Sequence, residues 1–233
     1  MTDGTDGRPI VHLSHVHHRY GRQAALTDLS LDIRKNELVF VSGPSGAGKT
    51  TLLKLLYGAV RPTEGRVEVD GLQLEHLPAR RLPLLRRRLG IVFQDFKLIP
   101  TRSVFDNVAL ALEACGHRRE AIPRKVRQVL RTVGMDAHAG TLPPLLSGGE
   151  QQRVAVARAV VGDPKVLLAD EPTGNLDDDS ARAVMELLRA MHIRGTTLVI
   201  ATHDKALVDR LGGRSVHLVQ GRLAPAGAGP EGT

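Results

Sequence analysis

Gly43-Pro44-Ser45-Gly46-Ala47-Gly48-Lys49-Thr50 fits G-x-x-x-x-G-K-[ST], the pattern of a glycine-rich loop that cradles phosphate. Its surroundings suit that reading. Leu38–Val41 is a continuous apolar run, as expected of a strand buried on both faces, and Lys49–Tyr57 reads as a helix. Glycines let successive backbone N–H groups turn toward one anion, and the positive end of the following helix adds to their pull. Lys49 is placed to reach the β- and γ-phosphates, and the Thr50 hydroxyl to ligate Mg²⁺. The expected ligands are therefore ATP and Mg²⁺, with Gly43, Pro44, Ser45, Gly46, Ala47, Gly48, Lys49, Thr50 and Thr51 around the phosphates.

On either side of this loop, strand and helix patterns alternate. Val11–Val16 and the alternating Leu29, Leu31 and Ile33 read as an antiparallel pair, and Arg66–Asp70 as another strand ending at Gly71. From about 95 to 164 the signals are helical. Val126, Val129, Leu130 and Val133 recur at helical spacing after Pro123. Beyond that block, Val166–Ala169, Thr197–Ala201 and Val216–Val219 read as strands. Ala181, Val184, Leu187, Leu188 and Met191 share one helix face, closed by Gly195. The pattern implies an α/β fold with a mostly parallel sheet and a helical block between its two halves.

Two further stretches carry chemistry. Val166–Ala169 delivers Asp170 and Glu171 to the C-terminal end of a buried strand, where parallel sheets bind ligands. Asp170 suits the Mg²⁺ shell, and Glu171 is placed to orient and deprotonate an attacking water. Leu146-Ser147-Gly148-Gly149-Glu150-Gln151 reads as a helix start, with Ser147 as cap and Glu150 three residues on as in a capping box. Its two glycines permit close backbone approach to an anion, so one chain has two phosphate-binding helix starts. The capping box by itself declares no function.

Leu146–Gln151 resembles the signature motif of the ATP-binding-cassette (ABC) family, and the rest of that family's pattern follows in order. Tyr20 resembles the aromatic that stacks on adenine. Gln94, after Gly90–Phe93, resembles the glutamine that senses Mg²⁺ and γ-phosphate, which adds it to Thr50 and Asp170 as a metal-site candidate. Gly174-Asn175-Leu176-Asp177 resembles the loop after the catalytic strand, and His203 the γ-phosphate switch histidine, a second catalytic candidate besides Glu171. One departure is Asn36, where the family usually has glycine; asparagine tolerates a left-handed turn.

The resemblance covers about residues 10–222. It implies a P-loop NTPase with a RecA-like core over about 10–94 and 165–222, an antiparallel β subdomain and a helical subdomain inserted at about 95–164. Residues 1–9 and 223–233 are expected as loose tails. It also implies a homodimer on ATP binding, in which Ser147, Gly148, Gly149 and Glu150 of one copy complete the Lys49 site of the other. Within the family, Arg88–Leu98, Val104–Ala109 and Leu167–Asp178 resemble the cell-division branch, whose ATPases pair with an integral membrane protein of FtsX type. Efflux and lipoprotein-release branches share much of this, Glu171–Leu176 above all. In such relatives the segment Gln94–Asn107 receives the membrane partner, and Phe96, Leu98, Ile99 and Phe105 are the apolar anchors it offers.

Composition narrows the setting. No run approaches the roughly 18–20 apolar residues of a membrane span, and Met1–Pro9 contains no apolar stretch, so the expected place is the cytoplasmic face of the plasma membrane, reached through a partner. The single cysteine, Cys115, reads as a small apolar filler. His12, His15, His17 and His18 lack the cysteines and carboxylates of a metal site and read as strand residues. The net charge of +7 gathers at Arg80, Arg81, Arg86, Arg87 and Arg88, and again at Arg118, Arg119, Arg124, Lys125 and Arg127. That surplus suits nucleic acid, anionic lipid or a solvated face. Nucleic-acid cassettes resembling this one usually carry coiled coils, zinc modules or a second cassette, none of which is present, so direct nucleic-acid binding is not expected.

Overall fold

A computed structural model of the chain describes residues 7–174, 176–203 and 205–224. In chain order the strands and helices are β1 (Val11–Tyr20), β2 (Gln23–Ile33), β3 (Leu38–Ser42), α1 (Lys49–Leu56), β4 (Glu64–Val69), β5 (Leu72–Gln73), α2 (Leu82–Arg86) and β6 (Leu89–Val92). There follow α3 (Val104–Ala114), α4 (Ile122–Thr132), α5 (Gly148–Val160), β7 (Val166–Asp170), α6 (Asp178–Ile193), β8 (Thr197–Ala201), α7 (Lys205–Leu211), β9 (Arg214–Val219) and β10 (Arg222–Leu223).

Side-chain alternation divides the interior. Along β3, Leu38 and Phe40 enter one apolar cluster and Val39 and Val41 the other; β7 splits Leu167 and Ala169 from Val166 and Leu168 in the same way, and β8 splits Leu198 and Ile200 from Val199 and Ala201. A strand whose both faces are covered needs a continuous apolar run, which is what these segments have. Their sheet has the order β10-β9-β3-β8-β7-β6 and is parallel except at β9–β10. Helices α3 to α6 cover one face, while α1 and a second sheet cover the other. Phe40 is fully buried in the first cluster; truncating such a side chain to alanine typically costs about 3–5 kcal/mol.

The second sheet, β2-β1-β4-β5, is antiparallel. Its histidines bend it more than they decorate it. His15 sits at a positive φ of 48° where the β1–β2 register shifts, and its ring bonds Asp28, as His12 bonds Asp32. His18 is buried, and its Nδ1–H donates to the Arg61 carbonyl at 2.8 Å.

The end of the chain corrects the sequence reading. Leu223, expected in the tail, pairs with Leu218, and the Ala224 N–H donates to the His217 carbonyl. This terminal hairpin is also a clasp. The Gly221 N–H donates to the Ala47 carbonyl at 3.0 Å, and the Thr27 N–H to the Gly221 carbonyl at 2.8 Å. Gly221 has φ 78°, and a Cβ there would come within 2.7 Å of the Ala25 carbonyl oxygen, so only glycine fits. Among the described residues no helix is long and apolar enough to cross a membrane.

Candidate nucleotide site

The phosphate loop leaves the C-terminal end of β3 and is shaped by glycines that nothing larger could replace. Gly43, at φ 144°, lies where a Cβ would fall 2.2 Å from the Leu218 carbonyl oxygen. Gly48, at φ 105°, is the N-cap of α1 and packs on Ala25 and Leu26 of β2. No side chain caps α1, so its first-turn N–H groups keep the capacity to meet an anion. The Lys49 ammonium donates to the Gly43 carbonyl at 2.7 Å and the Pro44 carbonyl at 3.2 Å, which holds it over the loop. Thr50 is exposed and Thr51 buried, so only the first hydroxyl faces outward.

Thr50, Gln94 and Asp170, the three residues read as a metal site, line one cavity of about 310 Å³ together with Lys54, Tyr57 and Asp95. Burial pushes the Asp170 carboxyl above its ordinary range, opposed by a hydrogen bond from Thr50 and reinforced by neighbouring Glu171. A hydroxyl, an amide oxygen and a carboxylate are the hard oxygen donors that Mg²⁺ prefers. The set fits that ion.

Glu171 adopts φ 46°, a left-handed conformation that side chains other than glycine enter at a cost. Its N–H still donates to the Ala201 carbonyl at 2.8 Å, extending the β7–β8 ladder by one residue. The carboxylate, turned away from the sheet, takes a hydrogen bond from His203 Nδ1–H at 2.9 Å and a long one from the His203 backbone N–H at 3.4 Å. A carboxylate can only accept, so His203 Nδ1 carries the proton. Strand ends thus bring both side chains together next to Asp170.

The second helix start is built differently. Ser147 Oγ accepts from the Glu150 N–H, and the Glu150 carboxylate returns to the Ser147 N–H at 2.8 Å, completing the capping box. These bonds hold the Glu150 carboxyl below its ordinary range. A Cβ at Gly149 would meet Ser180 Oγ at 2.6 Å, because α5 begins against the start of α6, where Asp177 caps. A Cβ at Gly148 would meet nothing within 4 Å. The contacts of Ser147 and Gly149 are with Glu150, Asp177 and Ser180, not with the phosphate loop. Tyr20, at the end of β1, is half exposed and sits edge-to-face on His18. Asn175 lies outside the described residues.

Three side chains that the sequence reading passed over tie these parts together. Gln152, nearly buried in α5, donates to the Pro172 carbonyl at 2.7 Å, one residue beyond Glu171. Arg158, also in α5, donates to the carbonyls of Phe96 (2.7 Å) and Lys97 (2.6 Å), both at positive φ, and burial lowers its pKa. Asn107, fully buried, accepts from the Ile99 N–H and donates to the carbonyls of Ile99, Arg102 and Ser103. For Asn107 and Arg158 the available signal was a polar residue inside the apolar runs 104–112 and 154–161; Gln152 lies in a polar stretch and had none. Together Arg158 and Asn107 pin the segment after Gln94 to the helical layer. Of the four anchors expected there, Leu98 and Phe105 pack against the core, while Phe96 and Ile99 are half-buried outside both clusters.

Comparison with known proteins agrees with this geometry. Residues 26–174 match the ABC transporter family. The chain is 50% identical over 216 residues to the cell division ATP-binding protein FtsE of Mycobacterium tuberculosis, covering 92% of this chain and 94% of that one. It is 43% identical over 215 residues to FtsE of Escherichia coli K12, covering 92% and 97%. Among solved structures, the ATP-binding cassette MJ0796, determined as a dimer in a post-hydrolysis state with ADP and Pi, superposes with a TM-score of 0.85 at 35% identity, covering 91% of this chain and 96% of that one.

Proposed function

Because this chain belongs to the ABC transporter family, we propose that it is the ATP-hydrolysing subunit of a membrane complex acting in cell division, in the manner of FtsE. The observation that best supports the reading is Asp170, which shares a cavity with Thr50 and Gln94 and feels the charges of both Lys49 and the His203-bonded Glu171.

In this reading the loop N–H groups and Lys49 hold the β- and γ-phosphates, and Tyr20 stacks on the base. Glu171 takes a proton from the attacking water as its oxygen bonds to the γ-phosphorus and the bond to the leaving ADP oxygen breaks. His203 holds the carboxylate in its one productive orientation. Mg²⁺, held by Thr50, Gln94 and Asp170, would neutralise charge on the phosphate oxygens. Two copies close head to tail, each offering Ser147, Gly148 and Gly149 to the other's Lys49 site; the dimeric state of MJ0796 supports this. The open side of Gly148 supports it too.

The membrane partner is an integral protein of FtsX type, and the chain sits on the cytoplasmic face of the plasma membrane through it. The docking surface is the exposed part of the segment after Gln94, with Phe96 and Ile99 as its anchors. The RecA-like core, antiparallel β subdomain and helical subdomain are the moving parts. Glu171→Gln should retain ATP binding and lower turnover by about 10²–10⁴-fold. Full turnover in the purified variant would remove Glu171 from the chemistry, and capture of a solute-efflux protein from solubilised membranes in place of an FtsX-type partner would move the complex to another branch.

A further inference from the structure

The two arginine clusters have no part in the nucleotide site. They lie about 30 residues apart in sequence, and one hydrogen bond joins the segments that carry them. Arg87, just past α2, donates from Nε to the Ala114 carbonyl at 2.6 Å, which sets the end of α2 against the end of α3 and the turn that leads to Arg118 and Arg119. Beside this contact lies a cavity of about 380 Å³, whose lining includes Arg86, Arg87, Ile91, Ala111, Ala114 and Cys115.

The first cluster is the one of single sign; in the second, Lys125 pairs with Asp163 at 3.3 Å. Residues 76–94 contain no carboxylate, and residues 116–131 contain six basic residues against one acid, Glu120. Arg80, Arg81, Arg86 and Arg87 are exposed, and among the described residues none forms an ion pair. Leu84, 47% exposed, lies three to four residues from Arg80, Arg81 and Arg87, while its neighbour Leu85 is fully buried. An exposed apolar side chain on a segment whose guanidinium groups lack ion pairs, though Arg86 and Arg87 also donate to backbone carbonyls, matches an interface where the tip enters the headgroup layer and the cations meet phosphate oxygens.

The orientation is consistent. Arg158 lines the same cavity and holds the Phe96 and Lys97 carbonyls, so the basic face is continuous with the surface assigned to the membrane partner. We propose that the face carrying Arg80, Arg81, Leu84, Arg86 and Arg87 binds the anionic phospholipid surface directly, so that the ATPase touches the bilayer as well as its protein partner. The orientation rests on the partner reading above; the lipid contact does not.

The full chain would be sedimented with vesicles of phosphatidylcholine alone and of phosphatidylcholine with 30% phosphatidylglycerol as the probe. Anionic vesicles should bind it and neutral ones should not, with affinity falling as salt rises. Replacing Arg80, Arg81, Arg86 and Arg87 by glutamine should weaken binding roughly 100-fold. A control variant with Lys35, Arg66, Arg189 and Arg210 replaced by glutamine carries the same net charge and should lose far less. Equal loss in both variants would show that only overall charge matters and would overturn the proposal. So would failure of the parent chain to bind anionic vesicles near physiological salt. If vesicle binding is absent while recruitment to partner-containing membranes falls in the first variant, the face belongs to a protein partner and the lipid assignment is wrong. Vesicle binding as expected, with no FtsX-type protein captured from solubilised membranes, would break the partner reading and leave the lipid contact standing.

Discussion

The starts of α1 and α5 look alike in sequence, each a serine and glycines before a helix, but they are finished in opposite ways. At α1 the glycines are locked by the chain's own backbone, at Leu218 and Ala25, and no side chain caps the helix. At α5 the capping box satisfies the helix end from within, and one of its two glycines faces empty space. The first start is a cradle that one chain completes. The second is a capped surface whose spare room has a use only when something outside the chain arrives.

The strongest way to break this contrast is to divide a site between two copies. A Lys49→Ala chain and a Ser147→Arg chain should each be nearly inactive. Mixed, they place both faults on one site of the heterodimer and leave the other intact. Hydrolysis should rise about 100-fold above either parent, since each lost contact to developing charge costs about 10²–10³. No recovery at any ratio, despite dimer formation, would mean that α5 does not complete a site in trans.

The two glycines of α5 give the next test. Gly149→Ala forces a Cβ against Ser180 Oγ and should cost about 1–3 kcal/mol of stability in denaturant titration. Gly148→Ala has free space and should leave the unfolding midpoint within about 0.5 kcal/mol of the parent while reducing hydrolysis at least tenfold. If Gly148→Ala hydrolyses ATP normally, the open face is not a ligand surface.

The smallest effect concerns the first cradle and the neighbouring carboxylate of Asp170. The raised pKa of Asp170 means that the folded chain keeps this proton to higher pH than the unfolded chain does. Stability is therefore lost as pH rises from the ordinary carboxylate range through the raised value, and the loss is fully present above it. Asp170→Asn should raise the melting temperature of the nucleotide-free chain at neutral pH by about 2 °C, and the gain should vanish at pH near 4. A lower melting temperature at neutral pH would show that the ionised carboxylate stabilises the fold. Hydrolysis should be strongly impaired in the same variant.

Much of this was legible because local pattern and tertiary role coincide. The continuous apolar runs of β3, β7 and β8 become the strands buried on both faces, and Ser147 with Glu150 forms the box its spacing predicts. Other features hide where one residue serves two ends. The segment containing α2 reads as a charge cluster, since Leu85 is its only fully buried side chain. The reach of β1 to Tyr20 is masked by register shifts around His15 that break the two-residue period. Arg158, Gln152 and Asn107 act on backbone carbonyls distant in sequence, and carbonyls leave no mark in a sequence. Leu98 and Phe105 were apolar like Phe96 and Ile99, so composition could not separate core from surface.

The Gly221 clasp orders events during synthesis. The phosphate loop leaves the ribosome with Gly43 to Thr50, but its Ala47 carbonyl meets its partner only when Gly221 follows, about 170 residues later. At 5–20 residues per second that is roughly 10–35 s. β9, whose Leu218 carbonyl walls Gly43, arrives equally late. The nascent chain thus carries the letters of an ATP site long before it carries the site, and nucleotide affinity is acquired as one of the last acts of folding.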